Sequence, residues 1–372
     1  MAEIFLARQA GAEGFEKNIA IKKIKSNFSD SPDFVQMFLN EAKLAAQLSH
    51  PNICQIFDLG RIGDSFFIAM EYVSGRDMNR IINASNRVGI PFPMEYALKI
   101  ASNCCEGLYY AHSKTDNKGH ALNVVHRDVT PENVIVSFDG GVKLLDFGIA
   151  KAENLAQTDR PGEVKGKLSY MSPEQCQLKE VDHRSDIFSL GVVLYEWITG
   201  YRLFTGDNDE VIIRSIVEGK IYPPSYFKPE VSKQVEQILM KALEKDRNRR
   251  YQSAWDMQYD IDSFLTQHEF TPSNVHLANF VKQLFREDIE VERKTLSKQI
   301  RPQPPPLPED GDRRELSSDV KVRNVDSTAE HQMVGVKVSH ENLKTLSILA
   351  QKNRITIQEL IAEIIRLYLK YK

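Results

Sequence analysis

Two rhythms of apolar positions alternate without a break over the first 267 residues. Ile19-Ala20-Ile21 and Phe66-Phe67-Ile68-Ala69-Met70 are short apolar runs of strand type, and Val142-Lys143-Leu144-Leu145 is a third. Phe34, Phe38, Ala42, Ala45 and Ala46 recur at helical spacing, which predicts a helix from Phe34 to Leu48. Beyond Leu190 the pattern is mainly helical. A strand-rich start followed by a helix-rich remainder predicts a small lobe joined to a larger one. Leu277, Phe280, Val281, Leu284 and Phe285 mark a further amphipathic, charged helix over about 272–296.

The pattern then breaks. Pro302-Gln303-Pro304-Pro305-Pro306-Leu307-Pro308 leads into a charged run to about Gln332. Such a segment cannot bury a core, and the expectation is an extended linker. Its proline spacing also suits an SH3-like groove, but the spacer reading is preferred because nothing else points to such a partner. Patterning returns at Met333-Val334-Gly335-Val336-Lys337-Val338, whose three valines fall on one face of a strand. Ser339 can cap a helix to about Gln351 with Leu343, Leu346, Leu349 and Ala350 as its stripe, and Asn353 suits a left-handed stop. Thr356-Ile357-Gln358-Glu359 is a capping box that opens a second helix carrying Leu360, Ile361, Ile364, Ile365, Leu367 and Tyr368. No internal repeat is present.

Composition narrows the class. Apolar residues make up 42% and charged residues 27% of the 372, a globular balance. The net charge of −3 argues against a protein that coats nucleic acid uniformly. No apolar run reaches the ~18 residues of a membrane span, and Met1-Ala2-Glu3-Ile4 lacks the basic start of a secretory signal. Cys54, Cys104, Cys105 and Cys176 show no C-x-x-C spacing and read as reduced, mostly buried thiols of a cytoplasmic protein, with Cys104-Cys105 packed on a helix.

Three separated clusters carry chemistry: His126-Arg127-Asp128-Val129-Thr130-Pro131-Glu132-Asn133, then Asp146-Phe147-Gly148, then Met171-Ser172-Pro173-Glu174. Moving a phosphoryl group to a hydroxyl needs a base that orients the hydroxyl, cations that neutralise phosphate, and oxygen ligands for Mg²⁺. A carboxylate and a carboxamide five residues apart, with a second carboxylate at a strand end, can supply these groups. Any one tripeptide is a weak signal, whereas all three in this order and spacing are specific.

On these residues the chain resembles a eukaryotic-type bacterial protein serine/threonine kinase over about 1–267. The resemblance implies an α+β, two-lobed kinase fold with a small lobe over 1–70 and a large lobe over 74–267. It implies ATP and Mg²⁺ as cofactors and proteins as substrates, with autophosphorylation. Asp128 then matches the catalytic Asp, and Asn133 and Asp146 match the Mg²⁺ ligands. Ile19-Ala20-Ile21-Lys22 matches the V-A-I-K strand, so Ala20 and Lys22 belong to the ATP site, and Glu41 is the ion-pair partner of Lys22. Lys23 is excluded because it falls on the other face of the strand. Met70 matches the gatekeeper, and the backbones of Glu71 and Val73 match those that hold adenine. Glu174 and Arg250 resemble the ion pair that ties down the activation segment, and Asp186 resembles the brace of the catalytic loop. Arg127 is implied to pair with a phosphorylated residue, for which Thr158 is the best-placed hydroxyl.

Two departures stand out. The Gly-rich loop that precedes the V-A-I-K strand is not in the chain, since Met1 to Ala7 resembles the strand that comes after those glycines in the family. The expectation is either an upstream extension or a true truncation, and the truncation favours a scaffold of pseudokinase type or a DNA-bound transcription regulator dimerised through the C-terminal segment. Second, Thr130 stands where the family has Lys, and Lys167 in Gly166-Lys167-Leu168-Ser169-Tyr170 stands where it has Thr. Two expectations follow: an exchange, with Lys167 reaching the γ-phosphate and Thr130 replacing the hydroxyl, or Lys167 as a solvated loop residue with Lys22 and Mg²⁺ sufficing.

The domains expected are thus a kinase domain over 1–267, a helical extension over 268–300, a linker over 301–332 and a strand-helix-helix module over 333–372. That module resembles a ribbon-helix-helix domain, which implies a homodimer through paired strands. The same resemblance implies DNA contact by Met333, Gly335 and Lys337, with Thr356 against a phosphate. From Gln332 onward seven Lys/Arg face three acids, a net +4 that leaves −7 for the remainder.

Overall fold

The computed structural model describes residues 2–10, 15–25, 32–62, 65–147, 165–267, 270–299, 318–324 and 333–338. The chain forms two compact units: one from Met1–Gln47, Gln55–Tyr72 and the segment from Val291 onward, the other from Leu48–Cys54 and Val73–Glu290.

The first unit is built on β1 (Ala2–Ala10), β2 (Glu16–Ile24), α1 (Pro32–Ala45), β3 (Ile56–Ile62) and β4 (Ser65–Glu71). The strands pair antiparallel, and the register sets Phe5 against Ile21, Ala7 against Ile19, Ile21 against Ala69 and Lys22 against Ile68. Phe5, Ala7, Ile19, Ile21, Phe67 and Ala69 therefore share one face, and all are buried. On the other face Ile24 and Ile68 form a small core with Phe38 and Ala42 of α1. Both faces are covered, which is why Phe66–Met70 reads as an unbroken apolar run. The helix stops at Ala45, short of the expected Leu48, because the Gln47 N–H bonds the Leu44 carbonyl (3.0 Å) and tightens the last turn.

The second unit begins with β5 (Gly75–Asp77), α2 (Met78–Arg87) and α3 (Met94–His112). Asp77 caps α2 by accepting from the Arg80 N–H (2.9 Å). β6 (Val134–Ser137) and β7 (Val142–Leu144) complete a sheet ordered β5-β6-β7. Short helices α4 (Lys165–Leu168) and α5 (Pro173–Cys176) precede α6 (Arg184–Thr199). Every residue of α6 from Ser185 to Tyr195 is buried, so the helix is enclosed on all sides rather than amphipathic. It ends at Gly200, whose left-handed conformation (φ 78°) closes the C-cap. Packed with α3 and α6 are α7 (Asp209–Glu218), α8 (Lys233–Ala242), α9 (Ala254–Gln267) and α10 (Asn274–Leu284). Cys104 and Cys105 are buried in this core as free thiols, pushed well above their ordinary pKa by burial.

α10 belongs to the same core, to which it contributes Leu277 and Val281, followed by Phe285. Its start lies against the β6–β7 turn, where a Cβ on Gly140 (φ 83°) would sit 1.8 Å from the Asn274 carbonyl. α11 (Arg286–Gln299) comes next. The chain then returns to the first unit as β8 (Ser318–Asn324) and β9 (Met333–Val338), giving the sheet order β3-β4-β2-β1-β8-β9. β8 corrects the expectation of an unbroken linker over 301–332: its valines alternate with polar residues in Ser318-Asp319-Val320-Lys321-Val322-Arg323-Asn324, a strand rhythm masked by charge. No helix among the described residues is long and apolar enough to cross a membrane.

Candidate active site

The 126–133 loop is held from behind by one buried carboxylate. Asp186, in the first turn of α6, is fully buried and accepts from the His126 N–H (2.8 Å), the Arg127 N–H (2.7 Å) and His112 Nε2 (2.7 Å). Burial opposes its charge, but the His112 and backbone donors prevail and hold its pKa below the usual carboxylate range. Arg127 adopts a left-handed backbone (φ 64°), a conformation that costs a non-glycine residue about 1–3 kcal/mol. Asp186 is thus the brace that directs the next residue, Asp128.

The Asp128 carboxylate is nearly buried. Asn133 Nδ2 donates to its Oδ2 (2.7 Å) and to its backbone carbonyl (2.7 Å), with Asn133 set in a 3-10 turn over Pro131–Asn133. Lys167 Nζ lies 3.4 Å from the same Oδ2. Lys167 sits on α4, and the turns Tyr170 N–H to Lys167 carbonyl and Met171 N–H to Leu168 carbonyl fix it there. Tyr170 in turn donates its hydroxyl to Glu196 Oε2 on α6 (2.7 Å). The Thr130 hydroxyl, two residues from Asp128, is buried without a hydrogen-bond partner among the described residues.

Asp146 lies just past β7 and is the second site residue with a left-handed backbone (φ 48°). Its neighbour Leu145 is pinned to the loop by both backbone groups. The Leu145 N–H donates to the Asn133 carbonyl (2.9 Å), and its carbonyl accepts from His126 Nε2 (2.8 Å). Because the Asp128 N–H donates to His126 Nδ1 (3.3 Å), the imidazole is the neutral tautomer with its proton on Nε2. Burial lowers the His126 pKa in the same sense, against the opposing pull of Asp186 and Asp128.

Farther along, Glu174 and Arg250 meet in a bidentate pair at 2.6 and 2.7 Å. Ser185 Oγ also donates to Glu174 (2.6 Å), while Arg250 donates to the carbonyls of Glu244, Arg184 and Lys245. Burial would raise the Glu174 pKa, but these donors bring it below its ordinary value.

In the first unit, Lys22 and Ala20 share a strand face with Ile68 and Met70, while Lys23 falls on the opposite face. The Glu71 N–H is committed to the Gln55 carbonyl (2.8 Å), and Val73 is partly exposed. Glu41 lies on α1, and its side chain is outside the described residues, as are Thr158 and Thr356. Met333, Gly335 and Lys337 lie on β9, which pairs with β8 of the same chain.

Three participants have no role assigned by the sequence reading. His112 needs a partner 74 residues away to be recognised. Gln175 Nε2 donates to the Arg127 carbonyl (3.0 Å), tying α5 to the 126–133 loop. Its sequence signal is the capping box of α5, Ser172-Pro173-Glu174-Gln175. His126 is in the motif, but its tautomer is set only by contacts made in the fold.

A carboxylate at the mouth of a braced loop, a carboxamide whose nitrogen is spent on it, and a second carboxylate pinned alongside form a phosphoryl-transfer arrangement. With its Nδ2 committed to Asp128, Asn133 presents its carboxamide oxygen in another direction. Mg²⁺ takes one or two carboxylates with substrate phosphates, so Asn133 and Asp146 fit such an ion without a denser acidic cluster.

Comparison with known proteins places the chain in a family. Residues 5–260 match the model of the protein kinase domain. The chain is 42% identical over 293 residues to the tyrosine-protein kinase MasK of Myxococcus xanthus, covering 79% of this chain and 45% of that protein. It is 33% identical over 267 residues to the serine/threonine-protein kinase PknB of Mycobacterium tuberculosis, covering 70% and 40%. It therefore spans less than half the length of these relatives. Among solved structures, the Mycobacterium tuberculosis PknI kinase domain superposes with a TM-score of 0.52 at 25% identity, over 71% of this chain and 90% of that domain. With the loop, the paired carboxylates and the fold in agreement over most of its length, the chain belongs to the protein kinase family.

Proposed function

We propose that the chain transfers the γ-phosphoryl group of ATP to Ser and Thr hydroxyls of proteins, itself included. Asp128 carries the reading: a braced carboxylate, oriented by Asn133, directly follows the backbone that Asp186 clamps. The bond from the bridging oxygen to the γ-phosphorus breaks and its electron pair leaves on ADP. The substrate oxygen bonds to phosphorus, and the hydroxyl proton passes to Asp128. Most of the acceleration is positioning and electrostatics, so the orientation of this one carboxylate decides the rate. Lys22 holds the α/β-phosphates, with Glu41 as its partner, and Ala20 and Met70 line the adenine pocket. The Glu71 contribution to adenine falls to its carbonyl, because its N–H is committed to Gln55. Asn133 and Asp146 would hold Mg²⁺, which when bound would supply positive charge against the phosphates.

Replacing Asp128→Asn keeps shape and removes the proton acceptor. The expected result is autophosphorylation reduced by about 10²–10⁴ with unchanged melting behaviour. Undiminished transfer by the variant would remove Asp128 from the reaction, whereas a parent protein that shows no transfer at all would favour a scaffold role. The relatives are named for different hydroxyls, tyrosine for MasK and serine/threonine for PknB. Separation of the phosphoamino acids after acid hydrolysis distinguishes them: phosphoserine or phosphothreonine supports Ser/Thr, and phosphotyrosine points to Tyr.

For the C-terminal segment we propose self-association through β9, which is the last strand of its sheet and pairs on one side only among the described residues. Light scattering on the full chain and on a chain ending at Gln332 tests this, with a dimer expected only for the former. DNA contact rests on the sequence pattern, and a salt-dependent gel shift tests it.

A further inference from the structure

We infer that Lys167, a residue of the activation segment, supplies the cation that stabilises the transferring phosphoryl group, and that Thr130 donates its hydroxyl to the same reacting cluster. The inference rests on the kinase reading above and names the residues that complete it.

The Lys167 ammonium is 3.4 Å from the Asp128 carboxylate that receives the substrate proton. The phosphoryl group is transferred to the oxygen that this carboxylate orients, so Nζ lies within a few Å of where negative charge develops. A cation placed there before the reaction begins stabilises the transition state without reorganising. The lysine side chain is 42% exposed, and at that exposure an ion pair adds only about 0–1 kcal/mol to folding stability. This ion pair therefore adds little to folding stability. The local chain maintains it: the turn at Lys167–Tyr170 and the Tyr170–Glu196 hydrogen bond tie α4, which carries Lys167, to α6.

Thr130 supplies an independent observation. Its residue is 1% exposed, and its hydroxyl has no partner among the described residues. A buried hydroxyl left unbonded is unfavourable by about 1–3 kcal/mol, and such groups in native proteins await a ligand or water. Its position two residues from Asp128 makes the substrate hydroxyl or a phosphoryl oxygen the natural acceptor.

The arrangement has a consequence for control. The cation travels with the activation segment rather than with the catalytic loop, so any event that shifts residues 165–168 removes charge stabilisation as well as access. Positioning of the segment and chemistry meet in one side chain.

The test compares four proteins: the parent, Lys167→Ala, Lys167→Thr, and Lys167→Thr combined with Thr130→Lys, which returns the cation to the catalytic loop. Loss of one preorganised stabilising group lowers kcat by about 10²–10³, with KM for ATP nearly unchanged, in both single variants. The double variant is expected to recover at least about tenfold of kcat over Lys167→Thr, because the charge returns to the same place. A readout free of turnover is the binding of ADP–Mg²⁺ with and without aluminium fluoride, which mimics the transferring group. Lys167→Ala should bind ADP as the parent does and bind the fluoride complex at least about tenfold more weakly. A Lys167→Ala protein with parental kcat overturns the inference, as does a double variant no faster than Lys167→Thr. If the parent itself transfers no phosphate, the kinase reading fails instead, which is a distinct result.

Discussion

Glu174 and Arg250 show what a single pair of residues decides. All Arg250 nitrogens are engaged, two of them on Glu174, and the guanidinium is fully buried. Removing one partner strands a buried charge, so Arg250→Met should lower stability by about 3–5 kcal/mol in chemical denaturation. Replacing both residues with apolar ones of similar volume should lower it by less, and equal losses would contradict the account. This pair was legible in the sequence only through resemblance, because nothing local links residues 76 positions apart. Asp128, Asn133 and Asp146 were legible for a different reason. Chemistry restricts both residue type and spacing within one loop and one strand end, so their signal survives without a fold. His112 and Gln175 were not legible, because their functions are contacts to backbone or to a distant carboxylate, and many residue types would suit their local sequence equally well.

At the scale of elements, α10 and the turn it rests on form a brace behind β5. Arg76 of β5 lies over the rings of Phe138 and Phe285 at 5.2 and 5.3 Å, so the end of α10 is stitched to the segment just after Val73. Phe280 adds edge contacts to Phe92 and Tyr96. Phe285→Ala should therefore lower stability by about 3 kcal/mol and raise protease sensitivity of residues beyond 270. Gly140→Ala should detach the start of α10, since the added methyl meets a carbonyl and the backbone is left-handed. Hydrogen exchange over Asn274–Leu284 reads this directly, and unchanged protection there would refute it. The apolar stripe of α10 was plain from its sequence. Its docking partner was not, because the receiving site is a glycine, which marks space by having no side chain. β8 was missed for the opposite reason: its valines were present but diluted by charge.

At the scale of the whole molecule, buried titratable groups give stability a common dependence on pH. His126 has a lowered pKa in the fold, as does His50, in both cases led by burial. A histidine held neutral contributes stability that is complete above its unfolded value of about 6.5 and is lost as pH falls below it. Glu174 and Asp186 are also lowered, and Asp182 falls to about 2 against the penalty of burial through its bonds to Arg184. These carboxylates act with the same sign at lower pH, below about 4. The melting temperature should therefore fall continuously from pH 7.5 to pH 5, and the slope should be shallower in His126→Asn. A flat profile in the parent would show that His126 is not held neutral. The Leu145 link has a consequence of another kind. Both of its bonds to the catalytic loop are made by the main chain, so substitution of the Leu145 side chain leaves them in place. A deep mutational scan would score the position by its leucine and overlook the coupling between Asp146 and Asp128. Replacing the Leu145 amide with an ester, or tracking that amide by exchange, is how the connection becomes visible.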